Sequence, residues 1–282
     1  MALTARKDMR ASRFLRKKWT RDHDIMIPGR KTMDSEKFRA SIQKELTAGE
    51  GSLAGKYMAI FPGRKGLWNL AKYELITTFI TGMRGALGYF FRKVFYPRIF
   101  KEVGKGCAFG RNITFRHPHK IRIGANSFID DNAVLDAKGS ANEGIVIGAN
   151  AYIGRGAILS CKEGSITLGD HCNVSANCTL LSETEIRLGK YCFLAGNCYL
   201  VAGGNHSFLD VSKPIMFQPS VSKGGIRIGE DVWLGAGVIV LDGVTIGKSS
   251  VVGAGSVVTG PIPEYSFARG VRQLKIQDRR NP

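Results

Sequence analysis

Proline is scarce in this 282-residue chain, nine residues against 35 glycines, which excludes a proline-rich disordered polymer and leaves glycine to make the corners of a folded one. The apolar segment from Leu67 to Phe100 lacks any uncharged span of about 18 residues, because Lys72, Glu74, Arg84, Arg92, Lys93 and Arg98 interrupt it; a membrane-spanning helix is therefore not expected. Paired Cys-x-x-Cys ligands are absent among the six cysteines, so no zinc site is expected. Acidic residues are few, 23 against 41 Lys and Arg, giving a net charge of +18. Residues 1 to 100 hold 21 of those bases against 8 acids, so the basic surface is N-terminal. Charge alone does not choose between nucleic acid, anionic lipid and water as its partner. The charged run from Arg6 to Arg21 is followed by no apolar stretch, so no secretion signal is expected, and the cysteines are those of a reducing compartment.

What the chain has in abundance is a repeat. Aliphatic or aromatic residues recur every six positions in groups of three, from Val103, Phe109, Phe115 through Ile147, Ile153, Leu159 to Ile246, Val252, Val258, seven groups in all. Glycine tends to follow the anchor, as at Gly124, Gly148, Gly189 and Gly229, where a corner leaves little room for a side chain. The position two before each anchor is small or β-branched, and Cys107, Cys172, Cys178, Cys192 and Cys198 all occupy it, which reads them as core fillers. Three short strands and three corners per group predict a mainly β fold: a parallel β-helix of about seven triangular coils stacked at the strand spacing of roughly 4.8 Å. Insertions all follow the third hexad and so leave one edge of the prism, the longest being Val201 to Gly225, the expected functional loop.

The stretch IRIGEDVWLGAGVIVLDGVTIGKSSVVGAGSVVTGPIPEYS, Ile226 to Ser266, resembles the hexapeptide-repeat acyltransferases, and among them the maltose, galactoside and exopolysaccharide O-acetyltransferases. The resemblance covers about residues 103 to 276 and implies a left-handed coil, a homotrimer, acyl-CoA sites between subunits, and acetyl-CoA as co-substrate with no bound cofactor or metal. It also implies the general base. In that family a histidine follows a run like Gly196 to Gly204, and here Asn205 and His206 follow it. A sugar hydroxyl is a poor nucleophile and must lose its proton as it attacks the thioester, a task that suits an imidazole. By the same resemblance Trp233, Gly235, Ala236, Gly253, Ala254 and Thr259 line the acyl-CoA site, and Ser175, Asn177, Asn205 and Asp210 face the acceptor, with Lys213 and Gln218 in the same loop. Where the family often has Lys after that Thr, this chain has Gly260. Arg269, Arg272 and Lys275 are then the cations expected at the CoA phosphates.

The organisation expected is a basic extension over 1–66, a helical cap or membrane-interface segment over 67–102, the β-helix over 103–276 and a tail over 277–282. One helix is expected from about Ser35 to Thr47, followed by a Gly-rich connector from Ala48 to Gly55, and a helix pair broken near Gly82 to Gly85. Aromatic rings mixed with Arg and Lys suit a membrane interface, and covering the first coil's open strand edges suits a cap. The function expected is transfer of acetyl to a sugar hydroxyl in surface-polysaccharide or lipid-linked glycan synthesis. The location expected is the cytoplasm, with contact to the cytoplasmic face of the inner membrane and no nucleic-acid partner. The rival readings are a non-catalytic trimeric interaction module and a metal-dependent hydratase. For the latter, His117 and His119 stand four coils from His206, roughly 19 Å at the strand spacing, so one ion cannot join them within a subunit.

Overall fold

A computed structural model describes residues 52–140 and 142–270. The expected helix from Ser35 to Thr47, the basic run, Arg272, Lys275 and the tail lie outside the described residues.

Residues Glu102 to Ala268 form a parallel β-helix of three sheets with seven, eight and seven strands, each strand pairing in parallel with its counterpart one coil away. The coil is of the left-handed kind. The first two hexads of a coil work the same way. The anchor, such as Ile123 or Ile153, points inward and is fully buried. The next residue turns the corner directly above the following coil: a Cβ on Gly124 would lie 2.4 Å from the Ala149 nitrogen. Two residues further on the chain passes through the left-handed region, at Asn126 with φ 57° and Asn150 with φ 56°, and asparagine tolerates this better than most side chains.

The small residue before the next strand also holds coils together. Ser127 Oγ donates to the Gly148 carbonyl at 2.9 Å, and Cys172 and Cys192 donate Sγ–H to the carbonyls of Gly189 and Gly229, each at 3.0 Å. The buried cysteines are therefore reduced fillers that also satisfy corner carbonyls of the next coil. Cys161 instead ends a third-sheet strand, Ile158–Cys161, where burial pushes its thiol up to about 12.

Beyond the seven coils anticipated, the chain makes part of an eighth. Ile262 bridges Ile246, and Phe267–Ala268 pairs with Val251–Val252. Pro261 and Pro263 hide this turn from a hexad reading, because proline removes the N–H donors a regular strand would supply.

Among the described residues three α-helices precede the prism: α1 (Leu53–Ile60), α2 (Leu67–Leu75), which runs on as a π-helical turn Ile76–Ile80, and α3 (Gly85–Phe95). The first residues of α1, Leu53 to Gly55, fall on the end of the anticipated connector. Gly51 and Gly55 obscured it, but Ser52 caps it, its Oγ accepting from the Gly55 N–H at 3.1 Å. The helices close the first coil. Tyr73, Ile76, Tyr96, Ile99 and Phe100 join Phe109 and Phe115 in one core, and Tyr96 stands edge-on to both rings at 5.2 and 5.0 Å. The exposed strand edge is also satisfied: Tyr73 Oη donates to Phe115 O at 2.8 Å and Arg92 Nε to Phe109 O at 3.0 Å. His117 and His119 clamp α1 to this end, their rings on the carbonyls of Ala59 (2.8 Å) and Pro62 (3.1 Å). Burial holds both rings below the usual imidazole range, His119 at about 4, with Arg64 adding to the effect at His119.

Candidate active site

The long loop over 203–225 leaves the edge between the third and first sheets and is tied down at both roots by one residue. Asp242, 5% exposed, accepts from Asn205 Nδ2 at 2.9 Å, from the Lys223 N–H at 2.6 Å and from the Gly225 N–H at 2.8 Å. It was not singled out in the sequence, although an acid in the otherwise aliphatic run Val238 to Val244, just before Gly243, is the signal that was there. Asn205, anticipated at the acceptor, spends its amide on this staple.

Between the staples His206 and Ser220 form an antiparallel bridge, flanked by Ser207 N–H to Pro219 O (2.9 Å) and Val221 N–H to Asn205 O (2.8 Å). The loop's far end is organised by Gln218. Its buried amide donates to Asp210 O at 2.8 Å and Lys213 O at 3.2 Å, which removes it from the anticipated acceptor surface. Asp210 faces Ser212 and Lys213; the Ser212 hydroxyl and N–H, and then Lys213, hold its carboxyl down at about 2.

His206 Nδ1 sits 3.2 Å from the Gln218 carbonyl. A carbonyl only accepts, so Nδ1 carries the proton and the neutral ring keeps its lone pair on Nε2, which faces away from that bond. Glu183 lies beside the loop's root. Its Oε2 accepts from the Gly204 N–H at 2.8 Å and its Oε1 pairs with Lys162 at 2.9 Å. Burial works against its charge, but Lys162, the Gly204 N–H and His206 together hold the carboxyl below the usual carboxylate range.

The remaining candidates fall on two edges. Ser175, Gly235 and Gly253 each follow an anchor in the corner between the second and third sheets, joined through successive backbone bonds, with Asn177, Ala236 and Ala254 exposed in the same column. Thr259 follows the third-sheet strand Val257–Val258 and so shares the edge from which the His206 loop leaves, two coils further on. It helps line a cavity of about 370 Å³ at the C-terminal end of the prism, together with Gly260, Pro261, Ser256 and Arg269. Trp233 stands half-exposed on the second sheet's outer face, stacked on Phe193 at 6.4 Å and 19°. One chain thus carries His206 on one edge and the Ser175 to Ala254 column on another. The outer row Thr179, Tyr199, Ile239 of the third sheet lies between them.

This arrangement is that of a hexapeptide-repeat β-helix, and the repeat is matched as such. Residues 225–260 match the family described as bacterial transferase hexapeptide (six repeats), and residues 144–182 the hexapeptide repeat of succinyl-transferase. Among curated relatives, a probable acetyltransferase of Mycobacterium tuberculosis is 41% identical over 75 residues, covering 27% of this chain and 25% of that protein. A galactoside O-acetyltransferase of Lactococcus lactis is 64% identical over 45 residues, 16% of this chain and 22% of that one. The chain therefore spans only about a quarter of the length of these relatives. Among solved structures, an N-acyltransferase from Bacillus cereus, in complex with dTDP and 3-hydroxybutyryl-CoA, aligns at 24% identity and a TM-score of 0.42. That match covers 64% of this chain and 85% of the other.

Proposed function

We propose that the chain is an acyl-CoA-dependent O-acetyltransferase that moves acetyl from acetyl-CoA to a sugar hydroxyl. The observation that carries this reading is the imidazole of His206. The Gln218 carbonyl fixes its proton on Nδ1, so that Nε2 is held as an acceptor at the root of a stapled loop. The strong short matches to named acetyltransferases support the same chemistry.

In the reaction, Nε2 takes the proton of the attacking hydroxyl as its oxygen adds to the thioester carbonyl. The tetrahedral intermediate collapses with loss of the C–S bond, and the imidazolium returns its proton to the departing thiolate, releasing acetyl ester and free CoA. Glu183 stabilises the imidazolium in between. The CoA chain would run along the Gly235, Ala236, Gly253, Ala254 column past Trp233, with Thr259 and Arg269 toward its nucleotide end and Arg272 and Lys275 as further cations. Ser175, Asn177 and Asp210 remain the acceptor-side candidates, with the Asp210 carboxylate held by Ser212 and Lys213. Because base and column occupy different edges, the complete site is assigned to a homotrimer, each site using one edge from each of two copies. The acceptor is a surface-polysaccharide or lipid-linked glycan precursor, met in the cytoplasm at the inner face of the membrane.

Incubating purified protein with acetyl-CoA and such a precursor tests the reading. The expected outcome is stoichiometric release of CoA thiol and a mass gain of one acetyl group on the glycan; release without that gain, or neither, overturns it.

A further inference from the structure

Helix α3 is built inside out. Its buried face carries Gly88, Arg92 and, at its end, Tyr96, while its outer face carries Leu87 at 60% exposure, Tyr89 at 43% and Phe90 at 58%. The inward arginine donates from Nε to Phe109 O and from Nη1 to Met83 O at 2.6 Å, and Gly88 is needed there because a Cβ would lie 2.3 Å from Met83 O. A surface helix ordinarily has the opposite arrangement, apolar within and charged without. Helix α2 repeats the oddity with a different inner face. Tyr73 and Ile76 pack on the core, yet Trp68, Leu75 and Phe79 form a second apolar stripe at i, i+7 and i+11, exposed by 77, 58 and 67%. The Ile76–Ile80 turn packs against α3, so the two form one cap.

We infer that this outer face of α2 and α3 seats on an anionic lipid bilayer, as a peripheral anchor. Charge chooses lipid over an apolar protein groove. Besides the buried Arg92, residues 52–101 hold eight Lys and Arg against a single acid, Glu74, and that acid already accepts the Tyr57 hydroxyl. Rings that enter the acyl boundary, flanked by cations at the head-group level, are what a bilayer interface takes up. No helix among the described residues is long and apolar enough to cross a membrane, so the cap lies on the surface. The inference deepens the membrane part of the proposed function and rests on it for its purpose, though not for its physics.

Full-length protein should float with phosphatidylcholine vesicles containing phosphatidylglycerol, and about tenfold or more less with phosphatidylcholine alone. Two double variants, Leu87→Ser with Phe90→Ser and Trp68→Ser with Phe79→Ser, change only exposed side chains. They should each cut that binding about tenfold or more, with thermal melting and acetylation of a soluble acceptor unchanged. Absence of flotation on the anionic vesicles at low salt overturns the inference. So does flotation that both variants leave intact, since the lipid would then be held elsewhere, or a variant that alters only self-association, since a second copy would then be the occupant. Protein that floats but transfers no acetyl leaves the anchor standing and removes the enzyme.

Discussion

At the scale of residues, the chemistry assigned to His206 depends on groups that never touch a reacting atom. The Gln218 carbonyl selects the tautomer, and Asp242 holds both roots of the loop that brings the carbonyl and the ring together. An amide in place of Asp242 would turn an N–H₂ toward backbone N–H groups, and leaving such donors unpaired costs about 1–3 kcal/mol each. Asp242→Asn is therefore expected to speed hydrogen exchange over 203–225 and to lower kcat more than it raises KM for acetyl-CoA, while the prism melts nearly as before. Unchanged exchange in the loop would remove Asp242 from this role. This residue also marks a limit of the sequence reading: the run before His206 singles it out as a candidate, but Asp242 meets the adjoining Asn205 only once the coils stack. Gln218 likewise looked like a polar loop residue, and burial converts it into a scaffold.

Among the elements, the cap carries the strongest energetic signature. Arg92→Ala would strand the carbonyls of Phe109 and Met83 against apolar neighbours, and the loss should be about 2–3 kcal/mol, read as a lower urea midpoint. The cap's tyrosines add a pH dependence. Burial raises Tyr73 and lifts Tyr57 and Tyr96 to about 12, with the Glu74 carboxylate adding to the rise at Tyr57 and Tyr73. The unfolded chain releases these protons near 10, so from there upward it binds fewer protons than the folded chain and stability falls with pH. The stability from these groups is complete below about pH 10 and should drain away toward pH 12, seen as a falling melting temperature with a coincident rise in tyrosinate absorbance. A flat melting temperature across that window contradicts the assignment. The sequence disclosed the cap's apolar content but not which side faced in. Helical spacing alone places Arg92 and Leu87 on different faces of α3, and only the neighbouring edge carbonyls make the arginine face the inner one. The partial eighth coil escaped for a related reason, its two prolines breaking the hexad pattern while the backbone still pairs.

For the whole molecule, the seven full coils were legible because the anchors within each group of three keep one period of six, and most first and second corners repeat a glycine, a left-handed residue and a small residue. Assembly was not, since it depends on the outer rows that the period leaves free. The proposed sharing of the site between copies makes a specific prediction: mixing His206→Ala subunits with Gly253→Trp subunits, denaturing and refolding them together, should restore up to roughly a quarter of the parent activity, whereas each variant alone stays inactive. Failure to recover any activity in verified mixed trimers would place base and CoA column within one chain. The most direct measurement is the rate of CoA thiol release by His206→Ala beside the parent, on the same glycan acceptor and at matched melting temperatures. The account predicts a fall in kcat of about 100-fold or more, the contribution of a positioned base. Turnover within a few-fold of the parent would contradict it.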